Sequence, residues 1–406
     1  MKKDILMITH FTQVPWEAGN GRFLYLLNMF DYKKVKVELV TTDFSHRTKE
    51  KRKKNNENLS YKLTYVEELG YKKNVSIKRF FSHYIFAKNL RKYLYNRKKP
   101  DVIYCSIPSI DAAYYVTKYA KKNNIKLIID IQDLWPEAFK MVFNIPIISD
   151  IIFCPMNRKA NFVYKNADKI IGVSETYINR ALSVNNKIKE GLSVFLGTDL
   201  KYFDSLIKSD EKYNDFTIVY IGTLGHSYNI KVIIDALEKI YLQYGKKFNF
   251  LVMGDGPLKN DFIEYSKNKN INIEFTGRLE YEKMVIRLKK CHLAMNPIVD
   301  SSAGSIINKV GDYAAAGLPV INTQTCVEYK KLIEKYKFGF SCLNDDVDGI
   351  ANKIYELYKD ENLRKKLGEN NRIVAEILFD RSKTYKQIIN IIMGEKDENI
   401  TYCINN

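Results

Sequence analysis

The six cysteines, Cys105, Cys154, Cys291, Cys326, Cys342 and Cys403, are scattered, with no Cys-x-x-Cys pair and no histidine at metal-ligand spacing beside them. That pattern argues against a disulfide scaffold or a cysteine-based zinc site and reads as reduced thiols. Long apolar runs are missing too, since no stretch approaches the roughly 18 uncharged residues of a membrane-crossing helix. The opening MKKDILMITH carries Asp4 and too short an apolar run for a secretion signal. There is no internal repeat, no aspartate-rich metal motif and none of the nucleic-acid-binding signatures. These absences place the chain in the cytoplasm, or on a membrane surface facing it, with no metal, no cofactor and no nucleic-acid partner expected.

Acid is scarce in one half only. Residues 1–200 carry 35 Lys and Arg against 19 Asp and Glu, a balance of +16, whereas residues 201–406 carry 30 against 28, a balance of +2. A composition bias would spread over the whole chain, so the first half is expected to meet an acidic partner such as an anionic membrane surface.

What the chain has in abundance is apolar and aromatic surface: 46% hydrophobic residues, 29 Tyr and 21 Phe in 406 residues. That suffices for two cores of ordinary size. The first half alternates short apolar runs (ILMITH, VKVELVTT, DVIYCS, KLIIDI, KIIGVS) with helical patterns such as RFLYLLNMF and DAAYYVTKYAKK. The second half restarts the rhythm with FTIVYIG, VIIDALEKIYLQY, FNFLVMG, INIEFTG, HLAMNPI and LPVINT. Strands separated by helices imply parallel sheets in two α/β, doubly wound, Rossmann-like domains. The spacing predicts one domain over residues 1–203, a polar linker over 204–216 and a second domain over 217–378. Residues 379–406 form a helix and tail, with a return of that helix to the first domain as one option. HRTKEKRKKNNEN (46–58) reads as a solvated basic loop. The two sheets should face a cleft that holds the chemistry, because open α/β sheets bind ligands beyond the carboxyl ends of their strands.

Within SIINKVGDYAAAGLPVI (305–321), Lys309 and Asp312 lie at i and i+3, on one face of a helix start that favours a diphosphate. Gly317 and Pro319 stop that helix before the strand LPVINT. Gly222 and Gly225 of YIGTLGHSYNI, and Gly254 and Gly256 of MGDGP, follow strands where backbone must come close to a ligand. FTGRLEYEKM places Gly277 and Arg278 likewise. In the first half, Gly19, Asn20 and Gly21 form a loop between the first strand and helix, and KLIIDIQDLWPEAF ends a strand with Asp133, Trp135 and Glu137.

Taken in order, and with LGTDLKYF (196–203), these segments resemble the family 4 glycosyltransferases, and DLWPE resembles members that build bacterial surface polysaccharides. The resemblance implies a GT-B enzyme that moves a hexose or N-acetylhexosamine, with retention, from a nucleotide diphosphate donor, UDP-linked, to a glycan acceptor with a lipid link. It assigns the donor to Gly222, Thr223, Gly225, His226, Gly254, Arg278, Ser305 and Asn308, with Lys309 on the diphosphate and Asp312 on the ribose. It places Gly19, Asn20, Gly21, Trp135 and Glu137 on the acceptor side, and gives catalytic parts to Lys309 and Asp133. Two departures stand out. The first glycine loop offers Thr223, His226 and Asn229 where the family often has Arg and Lys. Gly304 occupies the position of a first glutamate, as in the branch that reads Asn-Lys-x-x-acid-Tyr, matched by Asn308, Lys309, Asp312 and Tyr313. A non-catalytic partner subunit on the same fold and a nucleotide-sugar epimerase are the alternatives.

Overall fold

The computed structural model describes residues 2–17, 19, 21–53, 58–74, 76–142, 148–206, 211–299 and 305–395, with the backbone alone for 140–142 and 148. The chain divides into two units, Met1–Val194 with Tyr385–Asn406, and Phe195–Thr384.

In the first unit the strands are β1 (Lys3–Ile8), β2 (Val35–Thr42), β3 (Phe44–Ser45), β4 (Glu50–Lys51), β5 (Lys62–Val66), β6 (Val102–Ile107), β7 (Lys126–Ile131), β8 (Lys169–Gly172) and β9 (Leu192–Ser193). Seven of them form a sheet in the order β5-β2-β1-β6-β7-β8-β9, parallel throughout. Strands covered by helices on both faces must be apolar on both, which is why these segments read as near-continuous hydrophobic runs. Phe23, Leu26 and Leu27 of the helix Arg22–Met29 pack with Ile5, Met7 and Val37 in one core.

That core also takes in Tyr385, Ile388 and Ile392 of the helix Arg381–Met393. Beneath it lies a buried charge network. Arg22 donates through Nη1 to both oxygens of Asp130, at 3.0 and 3.2 Å, and its Cζ lies 5.0 Å from the centre of the Tyr385 ring. Tyr104 also donates to Asp130. Burial works against the charge on Arg22, and Asp130 more than offsets it, so the guanidinium is held more firmly protonated than usual.

The basic stretch 46–58 differs from the solvated loop expected. β3 and β4 pair as a small antiparallel hairpin, and Arg52 turns inward, with Nε donating to Glu17 at 2.9 Å and Nη1 to the Thr42 carbonyl at 2.8 Å. An arginine stem can be buried once its fork is satisfied by carboxylate and carbonyl acceptors. Residues 54–57 lie outside the described residues.

The second unit holds β10 (Thr217–Ile221), β11 (Asn249–Met253), β12 (Asn272–Gly277), β13 (Leu293–Asn296), β14 (Val320–Asn322) and β15 (Gly339–Ser341). Their order, β12-β11-β10-β13-β14-β15, is that of a doubly wound nucleotide-binding sheet, with the order reversing between β10 and β13. Its core joins Ile218, Tyr220, Phe250 and Val252 to Ile233, Ile234 and Leu237 of the helix Ile230–Tyr244. That helix ends at Gly245, in the left-handed region with φ +64°. Residue 203, where the sequence reading ended the first domain, lies within the helix Leu200–Ser205, which Asp199 caps by accepting from the Tyr202 N–H.

Candidate functional site

In the second unit the loops after β10 and β11 meet face to face. Gly222 leaves β10 at φ +133°, a conformation L side chains rarely adopt, and its N–H donates to the Met253 carbonyl at 3.1 Å. A Cβ on Gly254 would stand 1.8 Å from the Gly222 carbonyl oxygen. Only glycine fits there, and the two loops together leave bare backbone at the carboxyl edge of the sheet, beside the point where strand order reverses.

Lys309 opens the helix Lys309–Ala315 and points beneath this loop. Its Nζ lies 3.9 Å from the centre of the Tyr220 ring and 4.0 Å from that of Tyr228, and a Cβ on Gly222 would be 3.1 Å from it. The residue is 8% exposed, and Nζ has no hydrogen-bond partner. Two ring faces offer quadrupole attraction but no acceptor. Burial accordingly pushes the ammonium well below its ordinary range. Tyr220 is fixed by donating to the Thr223 carbonyl at 2.6 Å. Tyr313, one turn along from Lys309, holds the end of β10 by accepting from the Ile221 N–H at 2.9 Å while donating to the Met295 carbonyl at 3.1 Å.

Asp312 is engaged on one oxygen. Its Oδ1 accepts from Thr198 Oγ1 at 3.0 Å and from the Tyr281 hydroxyl at 2.9 Å, whereas among the described residues nothing donates to Oδ2. Burial lifts its pKa, and the two hydroxyls pull it back. Thr198 is placed by the LGT segment, whose N–H donates to the Phe379 carbonyl at 2.7 Å. Sequence reasoning named Asp312 but missed Tyr281, Thr198, Tyr220 and Tyr228, although the two cage tyrosines lie within YIGTLGHSYNI itself.

The other residues expected on the donor side lie in the same unit. Thr223 and His226 are exposed and Gly225 is buried in the loop after β10, while Arg278 is exposed just beyond β12. Asn308 precedes the Lys309 helix without capping it through its side chain. Ser305 is held through its carbonyl, which accepts from Gln324 Nε2 at 2.6 Å. Gln324 belongs to a buried amide cluster with Asn296 and Asn322 at the ends of β13 and β14. Gly304 lies outside the described residues.

In the first unit, Asp133 follows β7. Trp135 Nε1 donates to its Oδ2 at 3.0 Å, and burial raises the carboxyl above its ordinary range against that pull. Trp135 is itself buried, stacked on His83 with ring centres 5.7 Å apart, so it positions Asp133 and presents no open platform. Glu137 pairs with Arg180. Gly21 precedes the helix Arg22–Met29 with the Gln13 side chain against it, and Gly19 adopts φ +135°. Asn20 lies outside the described residues.

Around Asp133 the fold assembles a set the sequence reading did not find. His10 Nε2 and Glu68 Oε2 are 2.7 Å apart, and Glu68 also accepts from Thr42 and Ser82, each at 2.7 Å. With His83 these two make a group whose metal-ligating atoms lie within 4.8 Å of one another. Both Glu68 oxygens are already committed to hydrogen bonds, so the set reads better as a hydrogen-bonded polar cluster than as a metal centre. Buried atoms without partners gather at this same carboxyl edge: Thr9 Oγ1, His10 Nδ1, Arg79 Nε and Gln132 Nε2.

The fold is the GT-B fold, α/β units of the kind found in solved glycosyltransferases. The chain superposes on sucrose-phosphate synthase from Thermosynechococcus elongatus with a TM-score of 0.70 at 14% identity, over 97% of this chain and 99% of that one. It superposes on Anabaena HepE in complex with UDP with a TM-score of 0.65 at 13% identity, over 97% of this chain and 100% of that one. Residues 203–374 match the family described as glycosyl transferases group 1. In sequence the chain is 27% identical over 229 residues to an uncharacterized glycosyltransferase of Methanocaldococcus jannaschii, 55% of this chain and 60% of that protein. It is 25% identical over 214 residues to the GalNAc-alpha-(1->4)-GalNAc-alpha-(1->3)-diNAcBac-PP-undecaprenol alpha-1,4-N-acetyl-D-galactosaminyltransferase of Campylobacter jejuni, 52% of this chain and 56% of that protein. The matched segment thus spans less than two thirds of these relatives.

Proposed function

We propose that this protein is a retaining glycosyltransferase that takes a hexose or N-acetylhexosamine from a UDP-linked donor and passes it to a glycan acceptor with a lipid link, in surface polysaccharide or glycoconjugate synthesis. The observation that carries the reading is Lys309: a buried ammonium without an acceptor, beneath bare glycine backbone at the carboxyl edge of a nucleotide-binding sheet. Such a group costs stability unless an anion comes to meet it. A diphosphate at that edge would accept from Lys309 and from backbone N–H groups of the Gly222 loop. Asp312 Oδ2 would take the ribose hydroxyls while Oδ1 stays anchored by Thr198 and Tyr281. As the glycosidic bond breaks, negative charge develops on the leaving nucleotide diphosphate, and the ammonium stabilises it. Arg278 and His226 reach the donor from the exposed rim, and no metal is required. On the acceptor side, Asp133, with its raised pKa, orients the attacking hydroxyl. The Campylobacter relative, whose name gives it a diphosphate-linked lipid substrate, supports the lipid-linked acceptor.

A peripheral place on the inner face of an anionic membrane fits the first unit. Ile77 and Phe81 of the helix Ile77–Asn96 are 88% and 54% exposed, and Ile151 and Ile152 of the helix Ile148–Asn166 are 69% and 64% exposed. Phe139 ties the two helices, with ring centres 5.2 Å from Phe80 and 5.8 Å from Phe153. Lys72, Lys73 and Lys78 lie exposed beside them, a combination that suits acidic headgroups. No helix among the described residues is long and apolar enough to cross a membrane. A panel of nucleotides and nucleotide sugars in a thermal-shift screen tests the donor: stabilisation by UDP and by one UDP-sugar is expected, and indifference to every nucleotide diphosphate would sink the reading.

A further inference from the structure

Arg79 and Lys49 are two cations that the fold gathers into one place without giving either a carboxylate. Arg79 Nη1 donates to the Asn74 carbonyl at 2.8 Å and Lys49 Nζ to Asn74 Oδ1 at 2.6 Å, so both converge on one residue, while Lys49 Nζ also donates to the His46 carbonyl and lies 3.3 Å from His46 Nδ1. Both also face the Tyr71 ring, at 5.7 Å for Arg79 Cζ and 5.0 Å for Lys49 Nζ. Arg79 is walled on its other sides by Trp135 at 5.0 Å and Phe11 at 5.8 Å. Among the described residues no salt bridge reaches either cation, and Arg79 Nε is buried with no partner at all.

Lys49 is held in position at a cost, for it adopts φ +63° in the turn of the β3–β4 hairpin. The local field is positive: burial, then Lys49 and Arg79, push the His46 imidazole down to about 4. Two carboxylates oppose this without a salt bridge to either cation: Glu68, with both oxygens engaged elsewhere, and Asp133, whose carboxyl Arg79 pulls down. Holding like charges together in a half-buried site is unfavourable unless an anion joins them. The place is the carboxyl edge of the first unit's sheet, where His10 and Phe11 follow β1 and Asp133 and Trp135 follow β7. Doubly wound sheets bind their ligands at that edge.

We propose that Arg79 and Lys49 form an oxyanion subsite for a phosphate group carried by the acceptor. The planar guanidinium offers a fork to two phosphate oxygens, and the ammonium adds a point charge beside it. The subsite rests on the assignment of the acceptor to the first unit and makes it narrower: the acceptor is a phosphorylated glycan, and a neutral sugar does not suffice.

The test uses the full chain carrying Lys309→Ala, which removes the donor-side ammonium, and titrates inorganic pyrophosphate by calorimetry at low salt. Binding is expected, and Lys49→Gln or Arg79→Met added to that chain should weaken it about tenfold or more, with Arg79→Lys intermediate. Lys49 sits on a surface hairpin, so its variant reports even if Arg79→Met fails to fold. In the otherwise unaltered chain, Lys49→Gln should leave UDP affinity as it was. Absence of pyrophosphate binding, or equal binding by all variants, overturns the subsite. Transfer assays then separate the sources, with a sugar 1-phosphate and a sugar on a polyprenyl diphosphate as acceptors; KM should rise in Lys49→Gln for whichever is used. A chain that glycosylates a phosphate-free acceptor with the same KM before and after Lys49→Gln keeps the transferase reading and overturns this one. A chain that loses pyrophosphate affinity in the variants yet transfers to nothing keeps the subsite and overturns the transferase reading.

Discussion

The ammonium of Lys309 lies 3.9 Å from the centre of the Tyr220 ring and has no hydrogen-bond acceptor. This pairing sets stability against function at one residue. Lys309→Met keeps the volume and removes an uncompensated buried charge, so the ligand-free protein should gain about 1–3 kcal/mol while nucleotide binding and transfer collapse. Denaturant unfolding and a turnover assay on the same preparation check both halves. A variant that is less stable, or one that turns over normally, would refute the donor assignment.

The same burial predicts proton linkage. Lys309 titrates below its ordinary value in the free protein, and a bound diphosphate would raise it again. Between the free and bound values, binding therefore takes up a proton and affinity falls as pH rises. For folding the sign is also fixed: the unfolded lysine, titrating near 10.4, holds its proton at pH values where the folded one has lost it. Stability should then rise with pH through that window. Calorimetry of UDP binding in buffers of different ionisation enthalpy measures the uptake, and zero uptake across the alkaline range would contradict the linkage.

Asp312 owes its orientation to Tyr281 and Thr198. Asp312→Asn should weaken UDP binding about tenfold or more, because an amide mismatches donors on one side. Tyr281→Phe should cost less and raise the carboxyl's pKa further, since it removes a bond that lowers it. UDP affinity in Tyr281→Phe should therefore fade at a higher pH on acidification than in the wild type. Identical acid limbs in the two proteins would show that Tyr281 only fills space.

In the first unit, Asp130→Asn leaves Arg22 buried with its countercharge gone. A loss of about 3–5 kcal/mol is expected in chemical denaturation, and Asp130→Asn with Arg22→Met should recover part of it. An Asp130→Asn protein as stable as wild type would mean that water reaches the pair.

Acidic liposomes test the apolar and basic surface. Binding should fall steeply with salt, as surface charges are screened within about 8 Å at physiological ionic strength. Ile77→Ser with Phe81→Ser should release the protein from vesicles and leave UDP affinity intact. Wild-type protein that ignores acidic liposomes at low salt would favour a soluble acceptor.

By itself the sequence determined the central strands of both sheets and the strand–helix rhythm that makes them parallel, because each is written locally. The short β3–β4 hairpin, β5, β9 and β15 carry too little pattern to read. Both-face burial makes β2 and β10 read as apolar runs, and glycines fall where Gly222 and Gly254 admit no Cβ. Lys309 and Asp312 were legible through a helical spacing of three. Only the tertiary structure decided what those side chains meet. The tyrosine cage of Lys309 joins it to Tyr220 and Tyr228, which are distant from it in sequence, and Asp312 takes one partner from 198 and another from 281. His10, Glu68, Arg79, Lys49 and Trp135 share no spacing at all, since each follows a different strand or opens a different helix. No periodicity links them, because a parallel sheet brings strand ends together only after a long connection, a helix between β1 and β2 or β6 and β7 and the β3–β4 hairpin between β2 and β5. The burial that leaves Lys309 without an acceptor is a property of the assembled edge of the second sheet, and the pairing of Arg79 with Lys49 without a salt bridge is a property of the first; neither belongs to any one segment.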